Sequence, residues 1–456
     1  MSAAPRGLAG WAMAGAYLTV GAAVAIAASL ASVLVGGARG ARWRERCGLW
    51  RGHRQQSGAW IWIHGASVGE ADIALAVAAA LAPHTPEIRL VVTTTTPTGQ
   101  ARVQHAGSVE SRYFPIDFPL FIRRILGTNP PLLFVAVETE IWPGLLRAMA
   151  RHGVPVAVVN ARLSERSIPR YRRLAPLFAP LLEGVARVCA RDKDAAGKWR
   201  ALGVREAAIV VTGNIKFDLA VPNKAQAIVP LFVPVPRSPL LLAASTHEGE
   251  EALVLEAWAV LRSRVSRDIR LLLAPRHPER ADAVVALAQR RCRSVMLLSD
   301  AVSAARAAQG AIIPDLQAPT GMTWPPRMEV LVLDRLGLLR QAYACADAAY
   351  VGGSLRPGPG GHNLLEAVAA DCPLAAGPHL ENVADQAAVL AQAGAHRRVR
   401  DVGGLLRFWT DVIEKPQEFR PQLGVARGLV AERCGAVERT VAELLSLLDH
   451  PSETPP

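Results

Sequence analysis

Residues 60–70 read WIWIHGASVGE, a short apolar run that ends in a glycine-containing turn and then a carboxylate. A continuous apolar run bounded by turn residues is typical of a parallel strand covered on both faces, and it predicts a strand over 59–64. The pattern recurs four times before residue 213 and five times after residue 238. The remaining strand candidates are 88–95, 131–138, 154–160, 207–212, 239–244, 269–274, 328–333, 347–351 and 373–376.

Helical patterns lie between these strands, for example over 71–82, 250–263 and 281–291. Alternation of strand and helix, run through twice, predicts an α/β protein with two doubly wound Rossmann-like domains. Ligands of such sheets bind beyond the carboxyl ends of the strands, so we expect the two domains to face a central cleft.

The predicted boundary is a stretch rich in proline. Residues 219–238, LAVPNKAQAIVPLFVPVPRS, carry four prolines and no amphipathic period, which is typical of a linker. The predicted organisation is an N-terminal anchor at 1–40, a first domain at 41–220, a linker at 221–238 and a second domain at 239–456. We expect residues 429–448 to form an amphipathic helix that closes the second domain.

The start of the chain predicts a membrane anchor. The 32 residues between Arg6 and Arg39 carry no charge, and about 20 apolar residues are enough to cross a bilayer. Arginines are concentrated after this stretch, which favours an uncleaved anchor with the remainder in the cytoplasm over a cleaved signal peptide. A helix that lies in the membrane interface is the alternative. The arginines that follow are Arg39, Arg42, Arg44, Arg46, Arg51 and Arg54.

Charge and cysteine content narrow the function classes. The chain of 456 residues has a formal net charge of +12 and a mean hydropathy of +0.20, so it is a folded protein with an anionic partner or surface. The sequence contains no nucleic-acid-binding motif, and we expect no nucleic acid as partner. The six cysteines include no CxxC pair, which suits a reducing compartment and argues against a zinc site.

Three motifs of the first half carry candidate catalytic groups. Glu70 is placed to deprotonate an attacking hydroxyl, although the spacing from Ser67 to Glu70 also fits a capping box and favours that interpretation. Glu138 and Glu140 of VETEIWPG end a buried strand, where a carboxylate needs a cation. Lys216 of TGNIKFD is the candidate partner. A structural ion pair and a catalytic role are equally compatible with this pattern.

A basic cluster follows in NARLSERSIPRYRRL, residues 160–174. A solvated surface is the ordinary interpretation, and contact with anionic lipid headgroups is the sharper hypothesis. The cluster comprises Arg162, Arg166, Arg170, Arg172 and Arg173.

The second half contains candidate phosphate-binding segments. In 243–251, AASTHEGEE, the residues Ser245 and Glu248 fit a capping box, and the helix start there also suits an anion. Arg276 follows a strand in LLAPRHPER. The segment 347–366, DAAYVGGSLRPGPGGHNLLE, brings glycines and a helix start together, without a Walker or GxGxxG pattern. Glu366 is a candidate for a ribose diol, or else a cap paired with Asn363.

Together these segments resemble one family, the 3-deoxy-D-manno-octulosonic acid (Kdo) transferases, from about residue 40 to the C-terminus, with an N-terminal anchor before them. The motifs that carry the resemblance, in order, are HGASVGE, TTTTPTG, YFPIDFP, ETEIWP, NARLSERS, TGNIKFD, STHEGEE, PRHPER, VGGSL, GGHNLLEA and GPHLENVAD.

The resemblance implies a GT-B fold and transfer of Kdo from CMP-Kdo to the lipid A precursor, at the cytoplasmic side of the bacterial inner membrane. It implies that Glu70 is the proton acceptor, and that Glu138 and Lys216 stabilise the transition state. No cofactor is expected, and the absence of a DxD-like motif predicts no catalytic metal. The implied CMP contacts are Pro275, Arg276, Leu336, Gly337, Leu338, Asn363, Leu364, Leu365 and Glu366.

Two other functions fit parts of the pattern. One is a GT-B transferase that moves a UDP-sugar to a lipid acceptor, and the other is a membrane-attached scaffold without catalysis. The presence of Glu70, Glu138 and Lys216 argues against the scaffold.

Overall fold

The computed structural model describes residues 7–52, 58–127, 129–163, 168–220, 230–233, 238–265, 268–292, 294–309, 321–335 and 337–449. The chain divides into two compact units. The first comprises Met1–Leu219 together with Arg433–Pro456, and the second comprises Ala220–Glu432.

The first unit contains a seven-stranded parallel sheet in the order β3-β2-β1-β4-β5-β6-β7. Its strands are β1 (Trp60–His64), β2 (Arg89–Thr94), β3 (Glu110–Tyr113), β4 (Leu133–Val137), β5 (Val156–Ala161), β6 (Arg187–Ala190) and β7 (Ile209–Val211). The helices up to the unit boundary are α1 (Gly7–Leu34), α2 (Gly37–Arg46), α3 (Val68–Leu81), α4 (Pro97–Ala106), α5 (Pro119–Leu126), α6 (Pro143–Arg151), α7 (Ile168–Arg173), α8 (Ala175–Glu183), α9 (Lys193–Ala201) and α10 (Ile215–Ala220).

Strand β1 shows why this sequence forms a central strand. Successive side chains point to opposite faces, and both faces are apolar. Trp60 and Trp62 lie in the core on one face, with ring centroids 5.9 Å apart. Ile61 and Ile63 lie in the core on the other face, where α3 packs. All five residues of β1 are buried, as the continuous apolar run predicts.

The second unit repeats the plan with the parallel order β10-β11-β9-β8-β12-β13-β14. Its strands are β8 (Leu240–Thr246), β9 (Arg270–Pro275), β10 (Val295–Leu297), β11 (Val330–Val332), β12 (Ala348–Val351), β13 (Leu374–Ala376) and β14 (His396–Arg398). Its helices are α11 (Glu250–Arg264), α12 (Ala281–Ala288), α13 (Leu298–Gln309), α14 (Leu339–Tyr343), α15 (Leu365–Ala369), α16 (Ala384–Gln392), α17 (Val402–Glu414) and α18 (Arg420–Ala431).

The two doubly wound domains predicted from the sequence are therefore confirmed. The cleft expected between them stays a prediction. Within the predicted linker, residues 221–229 and 234–237 lie outside the described residues.

The end of the chain differs from the prediction. Residues 429–448 do not form one helix in the second domain, because the chain turns after α18 at Gly435, which has φ +87°. The last helix, α19 (Ala436–Asp449), packs against α3 in the first unit. Asp218 fixes its start by accepting a hydrogen bond from the Val437 N–H at 2.7 Å. The apolar stripe of α19 thus completes the core of the first unit.

Helix α1 is the described helix that is long and apolar enough to cross a membrane. The stretch Ala9–Leu34 has a mean hydropathy of 2.0. Its exposed apolar surface agrees with the predicted membrane association.

Candidate active site

The candidate site of the first unit lies beyond the carboxyl ends of β1 and β4. The chain winds from β1 to β2 and β3 on one side of the sheet, and then from β4 onward on the other side. Adjacent strands at which the winding reverses leave a crevice beyond their carboxyl ends, where ligands bind in this class of fold. The residues that follow β1 and β4 include Glu70 and Glu138.

Glu70 is held over the end of β1 by a close turn. A Cβ on Gly65 would lie 2.7 Å from the backbone carbonyl of Glu70, so this approach requires glycine. The Glu70 Oε2 accepts a hydrogen bond from the Ser67 N–H at 2.9 Å. The predicted capping contact therefore exists. Among the described residues, the second oxygen, Oε1, accepts no hydrogen bond, so capping leaves one oxygen of Glu70 for a ligand.

The surroundings of Glu70 make it a stronger base than an ordinary glutamate. Burial raises the pKa of its carboxyl, and the nearby charges of Glu138 and Glu140 raise the pKa further. The Ser67 N–H and His64 oppose this rise and do not cancel it. A carboxylate with a raised pKa accepts a proton more readily near neutral pH.

Glu138 occupies a conformation that is rare for a side chain larger than glycine. It follows β4 with φ +61° and is buried. Its Oε1 lies 2.7 Å from Lys216 Nζ, and its Oε2 lies 2.5 Å from Arg162 Nε. Burial raises the pKa of Glu138, but the charges of Lys216 and Arg162 outweigh it and leave the pKa below its usual value. Glu138 is therefore an anion between two cations.

Two asparagines place Lys216 at this site. Asn160, at the end of β5, has φ +50°, and its Oδ1 accepts a hydrogen bond from the Ile215 N–H at 2.9 Å. The Oδ1 of Asn214 accepts a hydrogen bond from the Lys216 N–H at 3.0 Å. The start of α10 is thus tied to the ends of β5 and β7 beside β4.

The Glu138–Lys216 pair suggested by the sequence is present, and Arg162 is an addition. The sequence grouped Arg162 with surface arginines, which is wrong because its side chain pairs with buried Glu138. Its position directly after β5, the neighbour of β4, is the signal that would have found it. Arg166 lies outside the described residues, and Arg172 and Arg173 are exposed.

Glu140 contacts two aromatic side chains of the same site, Trp142 and His64. Its Oε2 accepts a hydrogen bond from Trp142 Nε1 at 2.8 Å and lies 3.4 Å from His64 Nε2. The fully buried His64 ring stacks on Phe114, with centroids 3.7 Å apart. His64 Nδ1 lies 3.0 Å from the carbonyl oxygen of Thr93. His64 was not singled out from the sequence, where it is one more residue of the apolar strand.

Asp117 supports the segment that bears Glu138 and Glu140. The buried carboxylate accepts hydrogen bonds from the Gly144 N–H at 2.8 Å and the Leu145 N–H at 2.7 Å, at the start of α6. Burial raises the pKa of Asp117. A third donor, the Tyr17 hydroxyl, comes from α1. The long apolar helix is therefore in direct contact with the support of the site.

The second unit has its own winding reversal between β8 and β12. Glu250 fixes the backbone there. Its Oε2 accepts hydrogen bonds from the N–H groups of Gly353 at 2.7 Å and His247 at 2.9 Å. Its Oε1 accepts from Tyr350 Oη at 2.7 Å and from the N–H groups of Ser354 and Leu355 at 3.0 Å. Burial raises the pKa of Glu250, but these donors together hold it below its usual value.

This arrangement corrects two expectations for 243–251. The capping box of Ser245 and Glu248 is wrong, because α11 begins at Glu250, after Gly249 with φ +89°. The start of α11 is not open to an anion either, since buried Glu250 and Glu251 occupy its first turn. Glu251 Oε1 lies 2.8 Å from Arg280 Nη1.

Arg276 lies at the end of β9 beside a group of histidines. The Nε2 atoms of His247 and His362 are 2.8 Å apart, and the His277 ring centroid is 5.9 Å from that of His247. Burial, followed by the Arg276 charge, lowers the pKa of His362 to about 3. Burial also lowers the pKa of His247. Arg276 thus lies near two neutral imidazoles.

The other residues that were predicted to contact CMP lie around the start of α15. Asn363 Nδ2 donates to Glu366 Oε1 at 2.9 Å. Leu364 and Leu365 are fully buried, and their N–H groups donate to Gln386 Oε1 and Asn363 Oδ1. These leucines therefore hold Asn363 and Glu366 in place.

The loop 336–338, which was also predicted to contact CMP, comes before α14, and α14 packs against the same helix, α15. Gly337 has φ +83°, and buried Leu338 precedes α14. Pro275 ends β9. Leu336 lies outside the described residues.

The two parallel sheets and the solved structures that resemble them define the fold as GT-B. The fold is shared with a putative UDP-N-acetylglucosamine 2-epimerase from Listeria monocytogenes, at 13% identity and a TM-score of 0.53, over 87% of this chain and 98% of that one.

A family profile described as 3-deoxy-D-manno-octulosonic-acid transferase (kdotransferase) matches residues 41–219. A 3-deoxy-D-manno-octulosonic acid transferase of Bordetella pertussis is 32% identical over 84% of this chain and 86% of its own length. The enzyme of that name from Haemophilus influenzae is 30% identical over 85% and 86%. The chain belongs to the Kdo transferase family.

Proposed function

We propose that this protein transfers Kdo from CMP-Kdo to a hydroxyl group of the lipid A precursor, a step of lipopolysaccharide biosynthesis, with Glu70 as general base. The observation that carries the proposal is the half-buried Glu70 beyond the end of β1, beside the Glu138–Lys216–Arg162 cluster. The pKa of Glu70 is raised, and one of its oxygens accepts no hydrogen bond from the part of the chain that the structure describes.

In the proposed step, an acceptor hydroxyl oxygen forms a bond to the anomeric carbon of Kdo. The proton of the acceptor hydroxyl passes to Glu70. The bond between the anomeric carbon and the CMP phosphate oxygen breaks, and its electron pair stays on the phosphate oxygen. Both the Kdo carboxylate and the leaving phosphate are anionic. Lys216 and Arg162, fixed by Glu138, supply positive charge that needs no rearrangement during the reaction.

The second unit supplies the donor-binding groups in this proposal. Arg276 is the cation for the phosphate, and the Asn363–Glu366 pair is placed for the ribose. Pro275, Gly337 and Leu338 shape the adjoining loops, and Leu336 is assigned to the same loop from the sequence. We propose that no cofactor or metal takes part, since these residues already supply the positive charge.

The proposed location is the cytoplasmic side of the bacterial inner membrane, with the anionic lipid surface as partner. Helix α1 supports this with its apolar surface, and α2 supports it with four arginines in ten residues.

The test is transfer by the purified protein with CMP-Kdo and a tetraacylated lipid A precursor, followed by mass spectrometry. Glu70→Gln is expected to lower the rate by about 10²- to 10⁴-fold. Because the glutamine carboxamide oxygen still accepts the Ser67 N–H, the variant keeps the cap and the free energy of unfolding. Glu248→Gln, at an exposed residue of the second unit, is the matched control and keeps full activity.

Three results would overturn the proposal. If Glu70→Gln transfers Kdo at the wild-type rate, Glu70 is not the general base. If the protein transfers sugar from a UDP-sugar and not from CMP-Kdo, the proposed donor is wrong. If it transfers sugar from neither donor, a non-catalytic scaffold is favoured.

A further inference from the structure

Helix α1 is docked on the first unit along most of its length. Its buried positions, together with the half-buried Tyr17 and Gly21, recur every three or four residues, so they form one stripe on the helix. From Gly10 to Ser32 this stripe spans about 33 Å at 1.5 Å per residue. That length matches the thickness of a bilayer hydrocarbon core, about 30 Å. The stripe consists of Gly10, Ala14, Tyr17, Gly21, Ala25, Ala28 and Ser32.

The contacts of the stripe are with elements of the folded unit. The Tyr17 hydroxyl donates to Asp117, in the segment that leads into α5. A Cβ on Gly21 would lie 3.5 Å from the Phe118 ring, and Ala25 and Ala28 share a core with Phe121 of α5. Helix α1 also packs against α2 and α8. Contacts from the first third to the last turn hold the helix parallel to this surface.

These contacts conflict with a helix that crosses the bilayer. If α1 crossed it, α2, α5 and α8 would enter the hydrocarbon with it. Arg123 on α5 and Arg39 and Arg44 on α2 are exposed. A charged side chain at the centre of a bilayer costs about 2.5–3.5 kcal/mol. The surface that holds α1 therefore belongs at the headgroups.

The rest of α1 is apolar and exposed. Such a continuous surface on a folded protein indicates a partner. The charges around it name the partner as an anionic lipid surface, because α1 carries no charge and α2 carries four arginines and a single glutamate. The exposed large side chains are Trp11, Leu18, Val20, Val24, Ile26, Leu30, Val33 and Leu34, with 41–79% of their surface accessible.

We propose that α1 lies in the plane of the membrane, half embedded in one leaflet, and does not cross the bilayer. The arginines of α2 contact anionic headgroups beside it. The inference rests on the proposed function only in taking that leaflet to be the one that holds the acceptor.

The orientation has a consequence for the candidate site. Asp117 binds Tyr17 of α1 and also the backbone at the start of α6, directly after the segment 138–142 that bears Glu138 and Glu140. One carboxylate thus connects the embedded helix to the catalytic segment. A lipid acceptor reaches this segment while its acyl chains stay in the bilayer.

The test is a depth profile by spin labelling of the full chain in vesicles of phosphatidylethanolamine and phosphatidylglycerol. Ala12→Cys, Thr19→Cys, Ala23→Cys and Leu30→Cys place labels on one exposed side of α1, opposite the stripe. The half-buried cysteines, Cys292 and Cys434, are first changed to serine, and the four buried ones are kept. Gln289→Cys, exposed in the second unit, is the aqueous control.

An in-plane helix gives the same shallow depth at all four positions, although the first and last are about 27 Å apart along the axis. A crossing helix gives maximal depth at Thr19 and Ala23 and shallow depth at Ala12 and Leu30, which overturns the proposal. Labels that stay in water, or a protein that fails to float with the vesicles, overturn it as well. Transfer to a detergent-dispersed acceptor tests the proposed function separately, because that assay needs no bilayer.

Discussion

Lys216 Nζ lies 2.7 Å from Glu138 Oε1, which joins two residues 78 positions apart in the chain. The pair connects the end of β4 to the start of α10, and Arg162 completes it from the end of β5. Glu138 holds a left-handed backbone conformation at this point. Such a conformation costs about 1–3 kcal/mol in a residue other than glycine and persists only where its surroundings enforce it. The ion pairs, asparagine contacts and strand ends supply that enforcement.

Replacing Lys216 tests whether its charge contributes to catalysis or only forms a structural ion pair with Glu138. Lys216→Met removes one of the two described ion-pair partners of buried Glu138, so the free energy of unfolding should fall by about 1–3 kcal/mol in urea titrations. The transfer rate should fall by about 10²- to 10³-fold, because a fixed charge near the transition state is lost.

The matched control is Lys415→Met. Lys415 pairs with Glu418, three residues later, and the two side chains are 55% and 58% exposed. Loss of such a surface pair changes stability by no more than about 0.5 kcal/mol and leaves transfer intact. A Lys216→Met variant that behaves like this control shows that the charge has no catalytic effect.

The pH dependence of transfer reports on the base. Burial and Glu138 raise the pKa of Glu70, and Glu140 adds to that rise. A base acts in its deprotonated form, so activity falls as pH decreases through this raised pKa. Glu140→Gln removes one negative neighbour and lowers the pKa of Glu70. The acidic limb of kcat/KM should therefore move to lower pH.

Glutamine at position 140 keeps an oxygen to accept the Trp142 N–H, so the fold is preserved. Glu279→Gln, at an exposed residue of the second unit, leaves the limb where it is. A limb that stays in place or moves to higher pH in Glu140→Gln contradicts the assignment of Glu70.

The architecture was readable from the sequence because most strands are buried on both faces. Ten strands were predicted as apolar runs, and all ten exist. Those missed lie mostly at the sheet edges, where one side lacks a neighbouring strand and polar residues are tolerated, as in ESRY of β3 and HRR of β14. Strand β6, RVCA inside the first sheet, was missed because the charged Arg187 interrupts its apolar run.

Residues of the candidate site could be predicted from the sequence only where they come shortly after a strand that the sequence also predicts. Glu138 directly follows β4, and Glu70 and Lys216 lie in the first turns of the helices that follow β1 and β7, so their carboxyl-end positions follow from topology. The roles of Arg162 and Asp117 depend on contacts between distant segments, which spacing does not encode. The capping box at Ser245 failed because Gly249 starts the helix later and passes that role to Glu250.

Metal removal tests the proposed source of positive charge. Transfer in the presence of EDTA should equal transfer without it, because Lys216, Arg162 and Arg276 are covalent parts of the chain and cannot be chelated. A rate that falls with EDTA and recovers with added Mg²⁺ contradicts this prediction and assigns the charge to a bound ion.

Glu250 holds the backbone turn of the second unit, so its neutral isostere should weaken both stability and donor binding. A carboxylate accepts on both oxygens, whereas Glu250→Gln presents an NH₂ group to N–H donors such as those of Gly353 and His247. The side-chain NH₂ group then faces the buried Gly353 N–H and the half-buried His247 N–H, and such donor–donor contacts lower the free energy of unfolding by about 2–5 kcal/mol. CMP affinity, measured by calorimetry, should fall because the loop 352–355 loses its support. Glu256→Gln, at an exposed position of the same helix, is the control and changes neither quantity.

The pH dependence of this loss has a defined sign. The pKa of Glu250 lies below its usual value, so its stabilisation is present above the pKa of the unfolded chain and disappears as pH falls through the lower folded pKa. The stability difference between wild type and Glu250→Gln should therefore be full at neutral pH and shrink in strong acid. A difference that is independent of pH down to that range means that the carboxylate charge does not hold the turn, and that the substitution acts through packing instead.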